Sequence, residues 1–361
     1  MNEPITIKFV CRSCKATYDI ADLRWQCDCK GLLDLAWPAA FHRSELEDAP
    51  HTLWRYREAI PIESDKDVIT FDEGFTPLTP LTIDGALLHV KQDHLFPSGS
   101  YKDRGATVLI SHAKSLGVER LVEDSSGNAG AAVAAYAARA NIACDIYVPD
   151  STSPAKLAQI ESYGATLHKI PGSREDTANA VQDAAQKHFY ASHVWNPFFF
   201  HGTKTFAYEI WEQLGFNAPD TLIIPTGNGT LLIGVYIGFC ELHTQGLVSK
   251  LPKLIAVQST NCAPLTAEWA GESSPTIAEG IAIAEPARAE QMHECIRNTN
   301  GKILTVSDDE TLIAHKQMAK LGYYIEPTSA TAIAAFKNYR THENEIVVAP
   351  LTGHGLKSAG K

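Results

Sequence analysis

The residue types that could do chemistry fall into a cysteine cluster, one lysine turn and three glycine-bearing loops. The cysteines read Cys11-x-x-Cys14 and, after 12 intervening residues, Cys27-x-Cys29. Two knuckles of that spacing can close on one tetrahedral site, and four thiolates favour zinc. With all four positions filled by cysteine no water could be activated, so the role expected is structural. Two disulfides or four reduced thiols are the alternative reading. The lysine turn is Pro97-Ser98-Gly99-Ser100-Tyr101-Lys102-Asp103-Arg104-Gly105. A lysine amine in a confined Ser/Gly turn can form an imine with an aldehyde cofactor if its pKa is lowered. Taken alone, a Lys-Asp-Arg triplet is more ordinarily a solvated surface feature.

The loops are Ser125-Ser126-Gly127-Asn128-Ala129-Gly130, Thr226-Gly227-Asn228-Gly229-Thr230 and Thr352-Gly353-His354-Gly355-Leu356-Lys357. The first two lie between an expected strand and an expected helix, where backbone N–H groups and the helix dipole favour an anion. A carboxylate suits the first and a phosphate the second. Plain turns with Ser and Asn as caps would look the same one at a time. The third follows a strand, at the edge of a parallel sheet where ligands gather.

These segments need elements to hold them. From residue 68 onward, short β-branched or apolar runs alternate with longer alanine-rich segments, the signature of βαβ units and a parallel sheet. Expected strands are Leu87–Lys91, Arg120–Glu123, Ala143–Pro149, Thr166–Ile170, Thr221–Pro225, Leu254–Gln258 and Glu345–Ala349. Expected helices include Ala129–Ala140, rich in the best helix former, and Pro154–Tyr163, with Ser153 as N-cap and Gly164 as stop. The fold class is thus α/β, with two parallel-sheet lobes and a small cysteine-rich module. The boundaries expected are 1–40 for the module, 41–105 with 200–361 for a large lobe, and 106–199 for a small mobile lobe.

Composition narrows the partners. The 361 residues carry a net charge of −11, from 31 basic and 42 acidic side chains, with no basic run, so nucleic acid and anionic membrane are disfavoured. The head itself balances its charges, which removes support for a nucleic-acid-binding ribbon. The apolar run Leu231 to Cys240 is about half of the ~20 residues a membrane helix needs. No secretory pattern is read at the N-terminus, and a cytoplasmic location with reduced thiols at Cys144, Cys240, Cys262 and Cys295 is expected. No G-x-G-x-x-G turn suggests a dinucleotide enzyme.

In their order along the chain, P-S-G-S-Y-K-D-R-G, S-S-G-N-A-G, T-G-N-G-T and T-G-H-G-L-K resemble the successive active-site segments of threonine synthase and its fold-type-II relatives, which use pyridoxal 5'-phosphate (PLP). The head, ending C-D-C-K-G-L-L-D-L, resembles the zinc ribbon attached to some threonine synthases. The resemblance implies a homodimeric PLP-dependent carbon–oxygen lyase of threonine biosynthesis, acting on a small amino-acid substrate, with structural Zn2+ on Cys11, Cys14, Cys27 and Cys29. It implies that Lys102 holds the cofactor covalently and shuttles protons, that Asn128 bonds the cofactor's 3-oxygen, and that Gly227, Asn228, Gly229, Thr230 and Leu231 hold its phosphate. Thr352 would face the pyridine nitrogen, and Ser125, Ser126, Gly127 and Ala129 would surround the substrate carboxylate. Lys102 and Asn128 are expected on different lobes.

One segment departs from the pattern. After Asn196-Pro197, where many threonine synthases place a basic residue, stand Phe198, Phe199 and Phe200. A phosphorylated substrate wants positive charge, so Arg104, Lys204 or His201 would have to supply it. The plainer reading of the three phenylalanines is core packing. Serine or threonine ammonia-lyase, cysteate synthase and diaminopropionate ammonia-lyase use similar loops and are the alternatives, beside a cofactor-free homologue that binds a partner through its ribbon.

Overall fold

In the computed structural model, residues 7–37, 39, 42–172, 174–339, 341–342 and 344–358 are described. The N-terminal strands are β1 (Lys8–Cys11), β2 (Thr17–Asp19) and β3 (Leu33–Ala36), followed by β4 (Leu78–Ile83) and β5 (Ala86–Lys91). Helix α1 (Lys102–Ser115), β6 (Arg120–Glu123), α2 (Asn128–Ala140), β7 (Ala143–Pro149), α3 (Pro154–Ser162), β8 (Thr166–Ile170), α4 (Arg174–Ala184), β9 (Phe189–Tyr190) and α5 (Pro197–Thr203) come next. The chain closes with α6 (Thr205–Gln213), β10 (Thr221–Pro225), α7 (Thr230–Thr244), β11 (Lys253–Ser259), α8 (Ala289–Asn298), β12 (Lys302–Val306), α9 (Asp308–Lys320), α10 (Pro327–Asn338) and β13 (Val347–Pro350). It divides into two compact units, residues 1–73 with 102–202 and residues 74–101 with 203–361.

The first unit holds a three-stranded antiparallel sheet, order β2-β1-β3, and a four-stranded parallel sheet, order β8-β7-β6-β9. Alanines bury nearly the whole of α2, and the helix stops where Asn141 turns left-handed, at φ 57°. The cysteine-bearing head packs into the core of this unit. Phe9, Cys11, Cys27 and Leu33 share one core with the apolar faces of α1 and α2, and Phe9 meets Phe198 edge-on at 6.1 Å. Residues 41–73 also group here, where the sequence reading set them with 200–361. The reason is local: Trp54 Nε1 donates to Thr107 Oγ1 at 3.1 Å, Thr107 Oγ1 donates to the Ile69 carbonyl at 2.6 Å, and Ile69 N donates to Ser111 Oγ at 2.8 Å.

The second unit is built on a six-stranded sheet, order β12-β11-β10-β13-β5-β4, parallel except at β4. Asp84 and Gly85 make the two-residue turn from β4 to β5 with φ of 49° and 86°, the paired left-handed geometry that suits a tight hairpin. Ile223, Ile255, Val257 and Val347 of the sheet pack on Ala330, Ile333 and Ala334 of α10 and Met318 of α9. The strand expected from Glu345 starts at Val347 instead. Ile346 N donates to the Asp220 carboxylate at 2.9 Å, and Glu345 accepts from His342 N at 2.9 Å, so both residues close a turn before the ladder begins.

Candidate active site

The first unit takes up the chain again at Lys102, the first residue of α1. Asp103, Arg104 and Gly105 are buried behind it. The Phe199 ring lies so close to Gly105 that a β-carbon there would overlap it, and Lys102 Nζ stands 5.6 Å from the centre of the same ring. The Tyr136 phenol is held well above its ordinary pKa, by burial first and then by the charges of Asp103 and Glu73, while Arg104 acts in the opposite sense. Arg104 therefore belongs to a buried charge group.

The Ser125–Gly130 loop joins β6 to α2, with Gly127 in the N-cap position and no side-chain cap bond. Gly127 N donates to Ser125 Oγ at 3.3 Å. Gly130 passes so near the Ser125 carbonyl that only glycine fits. Ser125, Ser126 and Asn128 are half-buried and Gly127 is exposed, while Ala129 is buried and can offer only its backbone. The positive end of a 13-residue helix thus opens at these residues. Lys102 and Asn128 fall in the same unit, not on different lobes as expected.

In the second unit the glycine loop follows β10 and leads into α7, a 15-residue helix with Gly229 as N-cap at φ 78°. A β-carbon on Gly227 would come within 2.9 Å of Ile281 Cα, and one on Gly229 would overlap Met292. Thr230 and Leu231 are buried, Asn228 is half-buried, and Thr230 Oγ1 lies 2.7 Å from the Tyr101 hydroxyl. Thr352 Oγ1 lies 2.9 Å from Ser329 Oγ, which also accepts from Gly353 N at 3.0 Å. The turn that precedes Lys102 is laced to that loop: His354 N donates to the Gly99 carbonyl at 2.9 Å and Tyr101 N to the Thr352 carbonyl at 3.0 Å. Between those bonds the Ser100 hydroxyl is fully buried with no hydrogen-bond partner. An orphaned hydroxyl among two helix-terminal or strand-terminal loops is what a polar ligand satisfies, so these residues fit a phosphorylated pyridine.

One expectation shifts, and the plainer reading of the phenylalanines holds. Lys204 is fully buried and its ammonium sits 2.8 Å from Glu241 Oε1; Tyr208 donates to the same carboxylate. Burial pushes Lys204 below the ordinary lysine range, and the ion pair claims its charge. It is not free to serve a substrate. Phe198, Phe199 and Phe200 are core residues, with Phe198 stacked on His112 at 3.6 Å. Sequence reasoning passed over Ser100, Tyr101 and Ser329. The first two lay inside the quoted lysine motif, and Ser329 had no local signal.

The four cysteine sulfurs of the head lie within 4.8 Å of one another, with Cys11–Cys29 at 3.6 Å and Cys14–Cys27 at 3.5 Å. All four are free thiols. Tetrahedral Zn–S bonds of ~2.3 Å put sulfurs about 3.8 Å apart, so the arrangement fits that ion. Gly31 leaves room where a β-carbon would come within 2.8 Å of Cys11 Sγ, and the Tyr18 hydroxyl supports Cys27 Sγ at 3.0 Å.

Residues 69–353 match the family of pyridoxal-phosphate dependent enzymes, and the chain belongs to it, with the α/β fold of its type-II branch. Its relatives include the threonine synthase of Methanocaldococcus jannaschii, 32% identical over 96% of this chain and 92% of that protein. The threonine synthase of Mycobacterium bovis is 35% identical, over 85% and 89%. Among solved structures, O-ureido-L-serine synthase superposes with a TM-score of 0.69 at 22% identity, covering 82% of this chain and 92% of that one. Threonine deaminase isoform 2 of Solanum lycopersicum gives 0.67 at 22% identity, covering 88% and 86%. These two likenesses concern the fold. No helix among the described residues is long and apolar enough to cross a membrane.

Proposed function

We propose that the chain forms threonine from O-phosphohomoserine and water, releasing phosphate. The observation that carries this reading is 32–35% identity to threonine synthases across 85–96% of the chain, with every motif of the site present and in order. Bound PLP supplies an electron sink for charge developing at the substrate's α carbon. Lys102 would anchor the cofactor through Nζ, and its amine would move protons at the α and β carbons of the substrate. Backbone N–H groups of Gly227 to Leu231 at the start of α7 would receive the cofactor phosphate, and Asn128 would donate to the ring 3-oxygen. Ser125, Ser126, Gly127 and the Ala129 backbone take the substrate carboxylate at the start of α2. Thr352, held by Ser329, presents a neutral hydroxyl to the pyridine nitrogen. Unlike a carboxylate, a hydroxyl does not keep a proton on the ring, which favours elimination and replacement over transamination. A structural zinc on Cys11, Cys14, Cys27 and Cys29, a homodimer and a cytoplasmic location complete the proposal.

A second reading, a serine or threonine ammonia-lyase, draws support from the ion pair that claims Lys204 and from the apolar run Phe198–Phe200, since neither offers charge to a substrate phosphate. Arg104 and His201, both buried, are the other candidates for that charge. Phosphate and threonine appearing from O-phosphohomoserine would support the first reading; ammonia from serine or threonine without phosphate release would replace it. Lys102→Ala should abolish the near-visible absorbance of the purified protein, and an unchanged spectrum would remove Lys102 from its role.

A further inference from the structure

Two acids stand immediately before Ser125: Glu123 ends β6 and Asp124 follows it. Successive side chains of an extended strand leave on opposite faces, so this pair is presented to both sides of the sheet. On one face Asp124 Oδ1 accepts a 2.8 Å hydrogen bond from the Tyr190 hydroxyl. Tyr190 is the register partner of Val122 and packs there with Val181, Ala185 and Trp25. On the other face Glu123 Oε1 lies 2.8 Å from His193 Nδ1, and the His193 ring meets Phe199 at 6.0 Å.

Both partners come from one segment. It runs parallel to β6, fastened by Ala191 N donating to the Val122 carbonyl at 2.9 Å, and then turns around Ser192, whose Oγ accepts from Val194 N and Trp195 N at 3.3 Å each. Trp25 backs it, packed edge-on against Tyr190 at 5.4 Å and Trp195 at 5.1 Å. Burial and the charges of Asp124 and Glu123 hold the Tyr190 phenol well above its ordinary pKa, so it stays a donor through neutral pH. Apolar side chains would fill these positions without the cost of burying Glu123, Tyr190 and His193 and half-burying Asp124. What the polar pairs add is a fixed position for the backbone that enters the loop.

We propose that Tyr190 and His193 are positioning residues for the Ser125–Asn128 loop, gripping the chain at Asp124 and Glu123 from opposite faces of the sheet, with Trp25 as the brace behind Tyr190. The proposal rests on the carboxylate-binding role given to that loop above. The test uses the full-length, PLP-loaded enzyme with Tyr190→Phe, Asp124→Ala and Asp124→Asn. Tyr190→Phe and Asp124→Ala should each raise KM for O-phosphohomoserine about tenfold, the loss expected for a hydrogen bond to a carboxylate, with kcat within about twofold. Asp124→Asn, whose amide oxygen still accepts from Tyr190, should recover most of that KM. Amide hydrogen exchange over residues 125–130, measured without substrate, should quicken in the first two variants and not in the third.

Unchanged exchange in Tyr190→Phe, or an asparagine variant no better than the alanine one in exchange, overturns the clamp. Because exchange needs no turnover, a wild-type enzyme inert toward O-phosphohomoserine would sink the substrate reading while the exchange pattern still decided for or against the clamp.

Discussion

Glu209→Gln is expected to destabilise the second unit by far more than its small change in volume would suggest. Lys91 at the end of β5 and Glu209 on α6 are both fully buried, with Nζ and Oε2 2.6 Å apart. Lys91 Nζ also donates to the Thr76 carbonyl at 2.5 Å and to Gln213 Oε1 at 2.9 Å, and Glu209 Oε2 accepts from Thr76 N at 3.2 Å. At an effective dielectric of ~20, unit charges at this separation attract by about 6 kcal/mol. Much of that attraction offsets the desolvation of the two ions, so the pair itself stabilises little. Removing one partner is different. Glutamine keeps the size and a hydrogen-bonding oxygen but removes the carboxylate charge that faces the buried ammonium at 2.6 Å, a loss of about 3–5 kcal/mol. For a unit of this size each kcal/mol moves Tm by roughly 2–4 °C, so the single variant should melt roughly 6–20 °C lower.

The assay is thermal denaturation of Glu209→Gln, Lys91→Met and the pair Lys91→Met with Glu209→Leu. The double variant should recover most of the loss, because the ammonium and the carboxylate that faces it are then removed together. Since β5 leads into the turn that ends at Lys102, the single variant should also lose its near-visible cofactor absorbance at a correspondingly lower temperature. A Glu209→Gln protein that melts within about 2 °C of wild type, or a double variant whose loss equals the sum of the singles, would refute the reasoning.

Two further outcomes are expected. Purified protein should carry about one equivalent of zinc, and its removal by chelator should lower the melting temperature of the first unit, because Cys11 and Cys27 sit in one core with α1 and α2; metal-free protein of unaltered stability would count against a zinc site. Gly130→Ala forces a β-carbon onto the Ser125 carbonyl, a backbone atom that cannot rotate away. It should cost about 1–3 kcal/mol in thermal denaturation and raise KM for the amino-acid substrate, and a silent substitution would show that the loop yields freely.

The elements that carry the site were legible because each is announced locally. β6, β7, β8 and β10 are short runs of apolar and β-branched residues, and their observed bounds are those read from the sequence. Hairpin β4–β5 carried a signal that was not used, the Asp84-Gly85 pair between two alternating runs. The grouping of residues 42–73 with α1 had no such signal. It rests on Trp54, Ile69, Thr107 and Ser111 meeting across some forty to fifty residues of chain, and single-sequence periodicity says nothing about which distant side chains meet.

Lys102 and Lys204 show where sequence reading runs out. Both stand in polar, glycine-flanked stretches near the start of a helix, and both were set in the site on residue type. The structure separates them by what lies opposite each amine. Lys204 faces Glu241 at 2.8 Å, and desolvation raises that carboxyl above its ordinary range. Lys102 Nζ stands 5.6 Å from the centre of the Phe199 ring, at the entry of α1. Position in a motif can name a reactive lysine, but only the neighbouring charges decide whether its amine is committed to the fold, and those neighbours come from elsewhere in the chain.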